Sequence, residues 1–165
     1  MHENNIKDAE KTRFYFVVKS RLFLYTIAME SKENYTNIET YQSYNPNPLK
    51  KQIGDCTVRA ISKALNQDWE STYSGLALEG FRLCDMPSAN HVWGAYLKSK
   101  GFNRYIIPDT CQDCYTVKDF CRDHPNGTFI LAIHGHVVAV EDGIYYDSWD
   151  SGDEIPVYYW QRKED

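Results

Sequence analysis

His136-Val137-Val138-Ala139-Val140-Glu141-Asp142-Gly143-Ile144-Tyr145-Tyr146-Asp147 is the stretch on which the fold turns. Two runs rich in β-branched and aromatic residues flank Asp-Gly, the strongest short-range hairpin signal. A two-residue turn there puts Glu141 opposite Ile144. The same register carries His136 to a position opposite Trp149, with Asp147 as its diagonal neighbour on the same face. Diagonal positions lie roughly 7–8 Å apart at the backbone, within reach of a long side chain.

Working outward, Thr128 to Ile133 reads as a strand. The hairpin follows as His136 to Val140 and Ile144 to Trp149. Ile155 to Trp160 reads as a last strand, and Pro156 near its start suggests an edge. Upstream the periodicity is helical. A first helix begins at Gly54-Asp55-Cys56 with Asp55 as N-cap, carrying Val58, Ile61, Ala64 and Leu65 on one face. A second starts after Asp68. A third follows Pro87-Ser88 and stops at Gly101. A fourth starts at Thr116, with Asp119 completing a capping box. Helices first and antiparallel strands later imply an α+β domain, with N-terminal helices packed on a small antiparallel sheet.

The chain has 165 residues, 42% of them hydrophobic and 15% aromatic, which suits one globular domain. Its net charge of −5, with no basic stripe, argues against nucleic acid as the main partner. Phe14 to Met29 is apolar but broken by Lys19, Ser20 and Arg21. No run reaches the ~18 residues of a membrane span, and the basic residues are misplaced for a signal peptide. The five cysteines are an odd number, best read as free thiols in a reducing cytoplasm. A secreted protein with two bridges and one free thiol is the alternative. Residues 1–43 read as an N-terminal arm and 44–165 as the domain. Met29 offers an internal start, which would make residues 1–28 upstream read-through. Residues 30–51 are polar, and two X-Pro pairs, Asn45-Pro46 and Asn47-Pro48, favour extended backbone.

Cys56 falls in the first turn of a helix. Unsatisfied N–H groups and the helix dipole there favour thiolate, the nucleophilic form, and can receive an oxyanion. Such a nucleophile needs a base and a group that orients the base. His136 and Asp147 on the hairpin supply both, with Val138 and Val140 as an apolar floor. Each residue alone also has a plain structural reading: a small buried hydrophobe, a satisfied strand histidine, a strand-end carboxylate. His134 competes with His136, but Gly135 places it at a loop tip.

Gly54-Asp55-Cys56-Thr57-Val58-Arg59-Ala60, Gly135-His136-Val137-Val138 and Tyr146-Asp147-Ser148-Trp149 together resemble papain-like cysteine peptidases. The order cysteine, histidine, Asn/Asp is theirs. The spacing of His136 and Asp147 is similar to that in leader-peptide peptidase domains of bacteriocin-exporting transporters, and the chain as a whole also resembles small proteins of Gram-positive gut bacteria and their phages. The resemblance covers roughly residues 44–160. It implies a papain-like fold, with Cys56 as nucleophile, His136 as general base and acid, and Asp147 as the orienting residue. It implies a peptide or protein substrate and no cofactor. A deamidase or transglutaminase-type acyl transfer uses the same triad, and an inactive papain-like binding module is the alternative outside enzymes. The family's oxyanion-hole glutamine sits further upstream than Gln52. Gln52 is nonetheless the expected counterpart, with Asn47 as a substitute.

Among other residues, Gly54 leaves room for a substrate backbone. His91, at the head of the third helix, is a candidate for the cleft. Trp149 is a candidate for substrate contact or for shielding the histidine–carboxylate bond. Cys111, Cys114, Cys121 and His124 have metal-ligand spacing, but ordinary loop and core thiols are the expected reading, with no metal site.

Overall fold

A computed structural model describes residues 40–108 and 115–162. The elements in chain order are β1 (Tyr41–Ser43), α1 (Cys56–Leu65), α2 (Trp69–Leu83), α3 (Asn90–Ser99), β2 (Phe102–Ile106), α4 (Val117–Asp123), β3 (Thr128–Ile133), β4 (His136–Glu141), β5 (Ile144–Asp147) and β6 (Pro156–Arg162). The class is α+β. Six strands form one open sheet in the order β1-β5-β4-β3-β6-β2, antiparallel throughout except for the β1–β5 pair.

The Asp-Gly hairpin is as expected. Glu141 pairs with Ile144, Val140 with Tyr145 and Ala139 with Tyr146. Asp142 and Gly143 both have positive φ, 51° and 76°, the signature of a type I′ turn. Strand alternation then sorts the apolar residues of β3 and β4 into two cores. Ile130, Ala132, Val137 and Ala139 pack against Val58 and Ile61 of α1, Leu76 of α2, and Trp93 and Leu97 of α3. Phe129, Leu131, Val138 and Val140 pack on the opposite face against Val117 and Phe120 of α4. Each fully buried large side chain contributes about 1.5–3 kcal/mol, so the central strands are anchored from both sides.

Caps follow the sequence with one exception. The Asp68 carboxylate accepts from the Ser71 N–H at 2.6 Å, and Thr116 and Asp119 close a capping box. Asp55 occupies the N-cap of α1 but makes no side-chain cap bond. Its carboxylate instead accepts from the Trp69 indole N–H at 2.9 Å and the Asn47 amide at 3.3 Å, and it pairs with Arg59. This ties the loop before α1, α1 itself and α2 together beside Cys56.

Three expectations are corrected. β6 is an interior strand, between β3 and β2. Pro156 is tolerated there because it pairs with Ile133 at a register shift between Ala132 and Ile133, where a missing N–H costs little. β2, an element the sequence patterns do not reveal, takes the edge. β5 stops at Asp147 rather than running to Trp149, because the Asp147 carboxylate bonds forward into residues 148–151. In the region read as an arm, Tyr41–Ser43 adds to the sheet, while residues 45–51 form a compact turn. The Asn47 Oδ1 accepts there from the N–H groups of Leu49 and Lys51. The expectations for residues 1–39 and for Cys111 and Cys114 lie outside the described residues.

The Asp55–Arg59 pair is buried, with side chains 5% and 8% exposed respectively, whereas the Lys118–Asp153 pair is on the surface. Asp55→Ala is expected to lower the unfolding free energy by about 3–5 kcal/mol, because the guanidinium is left buried without a counter-charge. Lys118→Ala is expected to change it by less than ~1 kcal/mol. Urea unfolding of both variants measures the contrast, and equal effects would contradict it.

Candidate active site

Cys56 enters the site as the first residue of α1, half-buried at the end of a helix that packs on β4. Its side chain meets His136, the first residue of β4, and the Val137 N–H. His136 is held from behind. Its Nε2 donates to the Asp147 Oδ2 at 2.5 Å, which leaves Nδ1 for the sulfur. The structure therefore brings together the three residues that are far apart in the chain.

Asp147 is 2% exposed, and a buried carboxylate needs its lone pairs used. Besides His136, its Oδ2 accepts from the Ser151 hydroxyl at 2.7 Å, and its Oδ1 from the Ser148 N–H at 2.7 Å. The backbone is fixed too. The Tyr44 N–H donates to the Asp147 carbonyl at 2.7 Å, and β1 pairs Ser43 with Asp147. The short strand β1 thus buttresses Asp147. Trp149 is half-exposed, with its ring centroid 5.4 Å from that of His136. The two rings are tilted by 42° to one another.

The electrostatics of Cys56 and His136 are coupled. Burial pushes the Cys56 thiol up. The hydrogen bond and charge of His136, the Val137 N–H and the Thr57 hydroxyl outweigh burial and hold the thiol below its ordinary value. Burial alone would lower His136. Asp147 and the Cys56 sulfur overcome this and raise it to about 9. Both shifts favour the thiolate–imidazolium pair. Cys121 is the opposite case: burial in the α4 core pushes its thiol up to about 12, so it stays protonated. His124 stacks on Phe120 and bonds its carbonyl through Nδ1 at 3.0 Å. Among the described residues no cluster of ligating side chains could hold a metal ion.

A cleft of about 520 Å³ opens over the sulfur, lined by Gly54, Cys56, Asn90, His134, His136 and Tyr158, with Trp93 among its walls. A Cβ on Gly54 would meet nothing within 4 Å, so backbone can approach the helix start. Because Asp55 does not cap α1, its first-turn N–H groups face no side-chain acceptor. They are available to an oxyanion. Beyond Gly54, Thr57 and Ser88 lies an apolar recess of about 310 Å³ formed by Ile53, Trp69, Tyr73, Met86 and Pro87.

Three expected residues are placed elsewhere. Gln52 is exposed and does not line the cleft, because the Asn47-centred turn ends just before it. Asn47 is 4% exposed and its amide is committed to Asp55, Leu49 and Lys51. His91 does not line the cleft and pairs with Asp85 at 3.3 Å. One turn position earlier, Asn90 does line the cleft. Its Oδ1 accepts from the Trp93 indole at 3.2 Å, leaving Nδ2 as a donor. Asn90, Ser148 and Ser151 escaped sequence reasoning. The Ser148-Trp149-Asp150-Ser151 run after a strand-end Asp was the available signal for an Asx-type loop.

No protein-family model, no curated protein and no solved structure matches the chain. Among the described residues no helix is long and apolar enough to cross a membrane.

Iodoacetamide should alkylate Cys56 faster than exposed Cys84, and should keep doing so at pH values below the ordinary thiol pKa of ~8.5. The rate should fall only as pH drops through the lowered Cys56 value. In His136→Ala the profile should move up in pH, because the imidazole no longer stabilises the thiolate. Mass spectrometry of tryptic peptides across pH reads both; identical profiles for the two cysteines would refute the pair.

Proposed function

We propose that this chain is a papain-like cysteine peptidase that cleaves an amide bond in a peptide or protein. The observation that carries the reading is one chain of contacts at an open cleft. A helix-start thiol with a lowered pKa meets His136, and His136 meets a buried carboxylate. The papain-like assignment of the α+β fold belongs to the same proposal. It is supported by the packing of a cysteine-bearing helix on a sheet whose hairpin carries the histidine and the carboxylate.

Cys56 Sγ attacks the amide carbonyl carbon and forms the C–S bond. The carbonyl oxygen takes the negative charge and is received by the N–H groups of the first turn of α1. His136 Nδ1–H gives its proton to the amide nitrogen, and the C–N bond breaks. Water then attacks the thioester carbonyl and gives a proton to His136, and the thiolate leaves. Acid product forms and the ion pair is restored. Asp147 holds the ring in one orientation through both halves and stabilises the imidazolium.

The test is turnover of a quenched peptide library by the full chain. Cys56→Ala should abolish cleavage. His136→Ala should lower the rate by about 10²–10⁴-fold, the contribution of a general acid–base group. The pH profile should be bell-shaped, rising as Cys56 ionises and falling as His136 loses its proton near about 9. Ammonia release from glutamine peptides without chain cleavage would instead identify a deamidase. Selective labelling of Cys56 without any turnover would identify a binding module.

A further inference from the structure

Beyond a different wall of the cleft from the apolar recess, between α3 and the β6–β2 edge, lies a second recess of about 380 Å³. Its walls include Asn90, His91, Lys98, Arg104, Tyr158 and Trp160. Asn90 and Tyr158 also line the Cys56 cleft, so the two spaces share a wall. Cations predominate. Arg104 holds its guanidinium 4.0 Å from the Tyr158 ring centroid. That contact pre-orders a long side chain. Lys98 is exposed in the last turn of α3. His91 is engaged with Asp85, so the other two basic residues of the recess lining, Lys98 and Arg104, are those that pair with no carboxylate among the described residues. No carboxylate lines the recess, although acidic residues outnumber basic ones in the chain, 23 to 18. A second observation is independent of these charges. Trp160 is 3% exposed and its indole Nε1 has no hydrogen-bond partner. A buried donor without an acceptor is costly.

We propose that this recess is a specificity subsite that binds the carboxylate of an acidic side chain of the peptide substrate, with Lys98 and Arg104 as its cationic contacts. Calling the occupant a substrate rests on the reading of Cys56 as nucleophile; the affinity for a carboxylate does not. An acidic peptide must approach a chain of net negative charge, so binding there has to come from local cations rather than from the long-range field.

Fluorescein-labelled hexaglutamate and hexaglutamine, titrated against the full chain at low salt and followed by anisotropy, test the subsite. Hexaglutamate should bind roughly ten-fold tighter or more, and Lys98→Glu with Arg104→Glu should remove the difference while circular dichroism stays unchanged. Equal binding of the two peptides, or undiminished hexaglutamate binding by the double variant, would overturn the subsite. Unlabelled hexaglutamate should also slow alkylation of Cys56 in the parent chain and not in the double variant. Binding without slowing would separate the recess from the cleft and overturn its role in specificity. Should Cys56 react no faster than Cys84, the nucleophile reading fails and the subsite as a substrate site goes with it. The anisotropy would still decide whether the recess binds carboxylates.

Discussion

A carboxylate sealed from water at the end of a strand has to be fully hydrogen-bonded, and Asp147 meets that demand in a way that shapes everything near it. Its Oδ1 takes the Ser148 N–H, and its Oδ2 takes the Ser151 hydroxyl and the His136 Nε2. The first two contacts turn the chain out of β5, which is why the strand ends there. The third fixes the tautomer and the tilt of His136. Loop, strand end and imidazole are therefore one hydrogen-bonded unit, and the short β1 strand locks its backbone from the far side.

A second buried carboxylate does the same beside Cys56. Asp55 could have capped α1, and the sequence pattern suggests that it does. Its carboxylate faces the Trp69 indole, the Asn47 amide and Arg59 instead. The consequence is double. The preceding loop and α2 are pinned to the helix start, and the first-turn N–H groups are left without a side-chain acceptor. An N-cap bond would stabilise the helix by about 1 kcal/mol but would occupy a donor that an oxyanion needs. The arrangement favours the open helix end over the extra local stability.

Much of this was legible in the sequence because it is governed by local chemistry. Asp142-Gly143 determines the hairpin register, and the register determines that His136 and Asp147 share a face. Thr116 with Asp119 and Asp68 with Ser71 announce helix starts through side chains a few residues away. What escaped depends on partners distant in the chain. β2 has no clean alternation, since Asn103 to Ile106 are all exposed; it exists because β6 offers it a ladder. Pro156 misled because its tolerance depends on a bulge in β3. Gln52 and Asn47 were separable only once the turn at residues 45–51 was known, for the buried amide at Asn47 organises that turn and carries Gln52 away. His91 and Asn90 differ by one helical position, about a quarter of a turn; Asn90, bonded to the Trp93 indole, lines the cleft, while His91 pairs with Asp85.

The spacing between sulfur and imidazole is in the end a property of the core. Cys56 belongs to α1 and His136 to β4. The two are related through Val58 and Ile61 of the helix packed against Val137 and Ala139 of the sheet. Interiors at crystal-like density transmit small changes of volume as displacements. A misplacement of about 1 Å between reacting groups can cost on the order of 10²-fold in rate. Asp55 and Asp147 hold their own partners rigid, but neither spans the gap between helix and sheet. The apolar contacts do, joined at the far end of both elements by the Lys63–Glu141 ion pair, and the Val137 N–H beside the sulfur is the point where packing and chemistry meet. Selection on such a site would therefore act on the buried aliphatic residues of α1 and β4 as strongly as on the polar groups, because the polar groups keep their geometry only while that seam keeps its width.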